Sequence, residues 1–221
     1  KTPSENIQFL VFLMAVIKAV DEYADLLRIS VASAGNDHRL GANEAPPAVV
    51  SIFLGDELTE VLKSIENDTY FTSHGAVQMD IGATVLPHFV KDNTDRNRTS
   101  PFAFTGNKFE FRMLGSAASV ANPNIVLNTA VAEALDQFAK ELDGVAPEDM
   151  EHAVHELIKR AIKKHKRVIF NGNGYTDEWI EEAEKRGLYN LKSTPDALPM
   201  WIAQKNIDLF TKHSIFTSEE L

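Results

Sequence analysis

A dense apolar stretch near the N-terminus places the strongest constraint on the fold of this chain. Between Phe9 and Leu27, apolar residues recur at helical spacing so closely that the helix must be buried on most sides. The longest uninterrupted apolar run, Phe9 to Ile17, is well short of the ~20 residues that cross a bilayer. We therefore predict a helix, capped at its start by Ser4, that lies in a protein core or an interface.

Charge and cysteine content exclude several kinds of function. The 221 residues carry a formal net charge of −10, and an acidic surface repels phosphate backbones, so we expect no nucleic-acid partner. There is no cysteine, which excludes disulfides and thiolate zinc sites. The absence of cysteine fits a reducing compartment, and we expect a cytoplasmic protein without a membrane partner.

Both ends of the sequence resemble cut ends. Lys1 stands where a natural start would have Met, and no basic region of a signal peptide precedes the apolar stretch. At the other end, residues 218–221 look like the first turn of a capped helix. We therefore interpret the sequence as a fragment of a longer protein.

The pattern along the chain indicates an α+β protein. Loops and strands concentrate in residues 1–121, whereas residues 122–221 are mostly helical. We predict a polar loop from Asn36 to Pro47 and a strand from Lys108 to Leu114. The predicted helices run over 56–65, over 123–142 with Asn122 as cap, from Pro147 onward, over 177–186 with Thr176 as cap, and from Pro195 onward.

The predicted strand separates two kinds of side chain. Phe109, Phe111 and Met113 point to one face, while Glu110 and Arg112 point to the other, about 6 to 7 Å apart. A carboxylate beside a guanidinium group can hold a metal ion and an anion next to each other. The same pattern is typical of a solvated strand face with a modest ion pair, and spacing alone favours that interpretation.

Two polar loops carry further candidate residues. Arg96 and Arg98 alternate in a charged loop, where planar guanidinium groups can bind phosphate oxygens. Arg39 and Glu44 lie in the other loop, and such a pair is typical of sites for zwitterions or carboxylates. For both loops, local pairing of solvated charges is the alternative.

The order and residue patterns of these segments resemble those of the glutamine synthetases. Asn-x-x-Arg-Leu begins at Asn36 and leads to Glu-Ala-Pro at Glu44. Arg-Asn-Arg begins at Arg96, Glu-x-Arg at Glu110 and Ala-Asn-Pro at Ala121. Over essentially the whole chain, the amino-acid sequence is similar to that of the bacterial type III enzymes, so it resembles a fragment of their catalytic domain.

The resemblance implies a role for each candidate residue. Enzymes of this family phosphorylate the side-chain carboxylate of glutamate with ATP and displace the phosphate with ammonia, using Mg²⁺ or Mn²⁺. Glu110 matches a carboxylate ligand of the metal, and Arg39 and Arg112 match arginines that bind glutamate. Arg98 matches an arginine on the ATP phosphates, and Glu44 matches the flap glutamate that takes a proton from ammonium.

The chain also departs from the family pattern. The stretch from Arg39 to Glu44 is one residue shorter than in the common bacterial type, so we expect a differently built flap. That type has a further arginine soon after its Arg-Asn-Arg, which is missing here, and we expect Arg96 to serve at ATP in its place. The paired Glu-x-Glu metal ligands, the metal-binding His and the N-terminal β-grasp domain precede this region in the family. The resemblance therefore implies that the chain alone does not make glutamine.

The resemblance implies a fold and an assembly as well. We expect an α+β fold of the glutamine synthetase catalytic-domain type, in which antiparallel strands of an open barrel are backed by helices. Residues 1–221 form one partial domain, and the parent protein is a homo-oligomer, expected to be a dodecamer of two rings. Two alternatives stay open, a related glutamate–amine ligase with a wider pocket around Glu44 and a non-catalytic assembly or regulatory module.

Overall fold

The computed structural model describes residues 6–42, 45–69 and 99–221, together with the backbone of two short strands. These strands, β2 (Gln78–Met79) and β3 (Phe89–Val90), pair antiparallel with each other. The predictions for Ser4, Glu44, Arg96 and Arg98 concern residues outside the described ranges.

The apolar N-terminal stretch forms two consecutive helices at the centre of the core. Helix α1 (Ile7–Glu22) is capped by the Asn6 side chain, and helix α2 (Ala24–Ile29) follows after a break at Tyr23. Most side chains of both helices are buried, which confirms the prediction from the apolar pattern. Within the part of the chain that the structure describes, no helix is both long and apolar enough to cross a membrane.

Two long amphipathic helices pack against α1. Helix α5 (Ala121–Leu142) begins two residues earlier than predicted, so Asn122 lies inside its first turn and is not its cap. Helix α6 (Met150–His165) begins three residues after the predicted start at Pro147. Its buried face includes Val154, Leu157, Ile158, Ala161 and Ile162. Because both helices are apolar on one side, their packing against α1 removes that side from water.

A mixed three-stranded sheet lies beside the helices. Strand β4 (Phe102–Phe104) is central, with β1 (Ile52–Phe53) parallel on one side and β5 (Phe109–Phe111) antiparallel on the other. The parallel pairing departs from the expected set of antiparallel strands. A parallel pair needs a long crossover connection, and the segment between Phe53 and Phe102 is long enough to supply one.

Short helices complete the described fold. Helix α4 (Asp56–Glu66) follows β1 and matches its predicted range closely. Helix α7 (Asp177–Lys185) is capped by Thr176, whose hydroxyl accepts a hydrogen bond from the Trp179 N–H, as predicted. The remaining helical elements are α3 (Ala34–Arg39), α8 (Thr194–Ala197), α9 (Gln204–Lys212) and the 3₁₀ turns Lys166–Val168 and Leu198–Ile202.

Buried charges tie the N-terminal helices to distant parts of the chain. Asp25 is fully buried, and its carboxylate accepts hydrogen bonds from Lys205 Nζ at 2.9 Å and Asn206 Nδ2 at 3.1 Å. Asp21 accepts from Arg167 Nε at 2.7 Å and lies 2.8 Å from His165 Nδ1. Each buried carboxylate is therefore paired, as a charge removed from water must be.

Arg28 makes a similar connection to the region of α8. Its guanidinium group, 1% exposed, donates to Asp37 at 2.7 Å and to the Leu191 carbonyl at 2.6 Å. Burial opposes ionisation of Asp37, but hydrogen bonds from Thr194 and Arg28 outweigh it and lower the pKa of its carboxyl. Helix α3, which contains Asp37, is thereby fastened to both α2 and the start of α8.

Glu133 on α5 anchors the C-terminal helix. Its carboxylate accepts from Gln137 Nε2 at 2.7 Å and Lys212 Nζ at 2.6 Å, and it lies 2.7 Å from His213 Nε2. Burial opposes its ionisation, but these hydrogen bonds lower the pKa of Glu133 below its ordinary value. Burial, with the charge of Glu133 next in size, raises the pKa of Tyr23 to about 12.

Candidate active site

Three of the predicted site residues converge where helix α3 meets the end of strand β5. Arg39 is the last residue of α3, and Arg112 directly follows β5. The Arg112 N–H donates to the Pro101 carbonyl at 2.7 Å, which continues the pairing with β4 beyond the strand. Met113 is fully buried and anchors this end of the strand in the core. Arg112, which precedes Met113, is thereby held in a fixed position.

The predicted alternation along β5 is confirmed. Phe109 and Phe111 pack against the hydrophobic core. On the other face, Arg112 Nε and Nη2 both donate to Glu110 Oε2, at 3.2 and 3.0 Å. Lys108 Nζ lies 3.6 Å from the second carboxylate oxygen, Oε1. The side chain of Glu110 is 38% exposed, so its carboxylate is open to a ligand from solution.

The surroundings of Glu110 favour its ionised form. The hydrogen bond from Arg112, helped by the charges of Arg112 and Lys108 and weakly opposed by burial, holds the pKa of this carboxyl below its ordinary value. Glu110 is therefore an anion at neutral pH. Such a carboxylate offers the hard oxygen ligand that Mg²⁺ and Mn²⁺ prefer.

Arg39 contacts the backbone that carries Arg112. Its Nη2 donates to the Arg112 carbonyl at 3.3 Å, and its Nη1 donates to the Met113 carbonyl at 3.1 Å. The two guanidinium-bearing residues are 73 positions apart in the sequence and are neighbours in space. Together with Glu110 they place two cations and one anion in one region, an arrangement suited to a zwitterion or to an anion beside a metal ion.

Asn36 is a residue of this region to which the sequence analysis assigned no role. It lies on α3, only 4% exposed, and its Oδ1 accepts a hydrogen bond from Arg39 Nη1 at 3.0 Å. The predicted polar loop beginning at Asn36 is wrong for residues 36–39, because these residues form part of α3. The sequence indicated a role for Asn36 only through its position as the first residue of the Asn-x-x-Arg-Leu segment.

Glu44, Arg96 and Arg98 keep the status of predictions. Residues flanking Glu44 line a cavity of about 210 Å³ that also borders the start of α7. Its lining residues include Gly41, Ala45, Tyr175 and Asp177. The described region beside Glu44 therefore provides concave surface of a size that suits a small ligand or part of a larger one.

Metal-ligating side chains gather in one other place among the described residues. Asp68, His155 and Glu156 bring their ligand atoms within 4.8 Å of one another. Lys159 already pairs with both acids of this group, at 3.8 Å for Glu156. Glu110 is in no comparable group within the described ranges, so a metal bound by Glu110 needs ligands from beyond them.

Comparisons with known proteins identify the relatives of this chain. Residues 153–221 match the glutamine synthetase C-terminal domain. Over its whole length the chain is 56% identical to a glutamine synthetase of Butyrivibrio fibrisolvens and 52% identical to a type-3 glutamine synthetase of Dictyostelium discoideum. It is 41% identical to a glutamine synthetase of Bacteroides fragilis. The chain spans 30% to 31% of the length of these relatives, and the resemblance to their family is confirmed.

Proposed function

The chain belongs to the glutamine synthetase family, and from this premise we propose a reaction for the full-length protein. It joins ammonia to L-glutamate and converts ATP to ADP and phosphate. The convergence of Arg39, Glu110 and Arg112 in a chain so similar to these relatives is the observation that carries the proposal. A non-catalytic module has no need to keep a carboxylate and two guanidinium groups together in this way. The convergence therefore favours an enzyme.

The proposed reaction has two steps. In the first, an oxygen of the glutamate side-chain carboxylate attacks the γ-phosphorus of ATP, and the bond to the β-phosphate oxygen breaks as ADP leaves. In the second, ammonia attacks the carbonyl carbon of the γ-glutamyl phosphate, and the carbon–oxygen bond to phosphate breaks. Negative charge accumulates on phosphate oxygens in the first step, so cationic groups fixed nearby lower its barrier.

The described residues bind and orient glutamate in this proposal. Arg112 and Arg39 bind its carboxylate groups, since guanidinium groups donate to carboxylates in pairs. Of the three converging residues, Glu110, which is ionised and accessible, fits a divalent cation, with further ligands from other parts of the protein. When bound, Mg²⁺ or Mn²⁺ supplies charge neutralisation at the transferred phosphoryl group.

The remaining predicted residues complete the proposed site. Arg98, with Arg96 as a second cation, binds the ATP phosphates. Glu44 takes the proton from ammonium, so that free ammonia attacks. Closure of the loop that contains Glu44 excludes water, which otherwise hydrolyses the acyl phosphate.

We extend the proposal to the architecture of the parent protein. The mixed sheet of β1, β4 and β5 is one part of an open barrel, and residues 1–221 are part of one catalytic domain. Further ligands come from outside this chain, which alone does not make glutamine. The parent protein is a cytoplasmic homo-oligomer, a dodecamer of two rings, and light scattering on the purified protein tests this assembly.

An assay of phosphate release tests the proposed reaction. With the full-length protein, release from ATP is expected to require both glutamate and ammonia and to yield glutamine. The Glu110→Gln substitution removes the metal-binding charge and is expected to lower the rate at least about 100-fold. Release only with a larger amine indicates a glutamate–amine ligase, and no release with any divalent metal indicates a non-catalytic module.

Glu182→Gln is the matched control for Glu110→Gln. Glu182 also pairs with an arginine, since Arg186 Nε donates to it at 2.9 Å, and its side chain is 46% exposed. It lies on α7 and has no part in the proposed site. Its substitution is expected to leave the rate unchanged within about twofold, because exposed pairs contribute little. Equal losses in the two variants would contradict the role of Glu110.

A further inference from the structure

The side-chain amide of Asn36 uses both its donors and its acceptor in the interior. Nδ2 donates to the Val31 carbonyl at 2.7 Å and to the Met113 carbonyl at 2.9 Å. These two hydrogen bonds determine the orientation of the amide, so that Oδ1 points to Arg39 Nη1 at 3.0 Å. A buried amide with its hydrogen bonds satisfied has one favoured orientation, because rotation leaves polar atoms unpaired.

Helix α3 depends on such contacts for its position. It has six residues, and a helix of that length is not stable by itself in water. Asn36 joins α3 to the buried residue Val31, which lies just before the helix, and to Met113 at the end of β5. Asp37 joins it to Arg28. The tertiary contacts of Asn36 and Asp37 therefore set the position of Arg39 at the end of α3.

The acceptor of Asn36 also limits the motion of the Arg39 guanidinium group. Arg39 Nη1 shares its hydrogen bonds between Asn36 Oδ1 and the Met113 carbonyl, while Nη2 contacts the Arg112 carbonyl. A long side chain held at several acceptors loses its conformational freedom before a ligand arrives. Binding of the ligand then requires less ordering of the protein.

From these contacts we propose that Asn36 is a positioning residue of the glutamate site, which acts by holding Arg39 in its binding orientation. The inference rests on the proposed function. Asn36 itself touches neither substrate nor metal in this proposal. Its loss releases Arg39 and weakens binding of the glutamate carboxylate, whereas binding of ATP is unaffected.

Steady-state kinetics of the full-length protein test this role. Asn36→Ala is expected to raise KM for glutamate about 10- to 100-fold while KM for ATP changes less than about twofold. Asn206→Ala is the matched control, because Asn206 is fully buried and its Nδ2 also makes two hydrogen bonds, to Asp25 and to the Met200 carbonyl. This control is expected to lose stability without a change in either KM. Equal changes of KM for glutamate in the two variants would overturn the proposal.

A double-mutant cycle with Arg39→Ala separates positioning from general damage. If Asn36 acts through Arg39, Asn36→Ala has an effect of less than about twofold on KM for glutamate once Arg39 is already replaced. If the two effects multiply in full, Asn36 does not act through Arg39. The same cycle between Arg39 and Asn206 is expected to be additive.

Asn36→Asp gives a second test if the alanine variant does not fold. A carboxylate keeps the acceptor for Arg39 and strengthens that contact, but it cannot donate to Val31 or Met113. Lower thermal stability with a KM for glutamate within about threefold of wild type supports the proposal. A KM increase as large as that of Arg39→Ala contradicts it. A wild-type protein that forms no glutamine instead overturns the proposed function, and this inference with it.

Discussion

Arg28 and Arg112 each pair with a carboxylate, but the two pairs have different surroundings. Arg28 is 1% exposed and its partner Asp37 is 17% exposed, whereas the side chains of Arg112 and Glu110 are 22% and 38% exposed. The buried pair also holds the Leu191 carbonyl, so it connects three segments of the fold. The exposed pair connects two residues that are two positions apart, Glu110 on β5 and Arg112 directly after it. A buried pair therefore serves the architecture, and an exposed pair can exchange its partner for a ligand at small cost.

The largest expected effect on stability comes from breaking the buried pair. Arg28→Ala removes the donor of Asp37 Oδ1 and of the Leu191 carbonyl, and we expect a loss of about 3 to 5 kcal/mol in the free energy of unfolding. Urea unfolding of the chain measures this loss. Arg112→Ala is the matched substitution in the exposed pair, with an expected loss below about 1 kcal/mol. Similar losses in both variants would remove the distinction between the pairs.

The next effect extends the comparison to a buried phenol at high pH. The folded-state pKa of Tyr23 is about 12, above the ordinary value of 10, so the folded state binds more protons in this range. The stabilising contribution is fully present below pH 10 and is lost as the pH rises towards 12. It amounts to about 2 to 3 kcal/mol, at 1.36 kcal/mol for each pKa unit.

Tyr23→Phe isolates that contribution, because phenylalanine does not ionise. Between pH 10 and 12, the free energy of unfolding of the wild type is expected to fall relative to that of the variant. Urea titrations at several pH values measure the shift. A constant difference over this range would contradict the burial-driven pKa shift of Tyr23.

A smaller effect is expected for Glu133 at acid pH. Its folded-state pKa is lowered, so the unfolded state binds more protons and the stabilising contribution is present above its unfolded pKa of about 4. Glu133→Gln is expected to cost about 1 to 3 kcal/mol at pH 7, since its hydrogen bonds involve charged groups. The cost should shrink as the pH falls through the lowered folded-state pKa. A cost that is the same at pH 7 and pH 3 would contradict this account.

The smallest effect on stability is expected for Glu110→Gln. The exposed pair with Arg112 contributes less than about 1 kcal/mol, so the thermal midpoint should hardly change. The proposed activity of the full-length protein is nevertheless expected to collapse. Calorimetry and the phosphate assay on the same preparation check both parts. A large fall in stability would mean that Glu110, like Asp25 and Asp37, mainly holds the fold together.

The elements predicted well from the sequence are those with local signals. The Thr176 cap gave the start of α7, and the alternation from Phe109 to Met113 gave the faces of β5. The apolar stretch from Phe9 gave the buried N-terminal helices, although the break at Tyr23 has no clear mark in the sequence. In each case the determining contacts lie within a few residues.

The features that were missed depend on contacts between distant residues. Helix α3 contains Ala34, Gly35 and four polar residues, so it has no apolar periodicity. It is held by Arg28 and by the end of β5, which the sequence pattern does not show. The parallel pairing of β1 with β4 likewise joins segments about 50 residues apart. The site residues Arg39 and Arg112 were found through family resemblance, but their contact through the backbone and the role of Asn36 required the structure.

The contact between Arg28 and the Leu191 carbonyl has a consequence for synthesis on the ribosome. The two residues are 163 positions apart. At 5 to 20 residues per second, Arg28 is made about 10 to 30 s before its carbonyl partner. During that interval α1 can already pack against α5 and α6, whereas α2, which carries Arg28, still lacks its C-terminal contacts. An early stop in translation before Leu191 therefore leaves the buried charge of Arg28 without this acceptor.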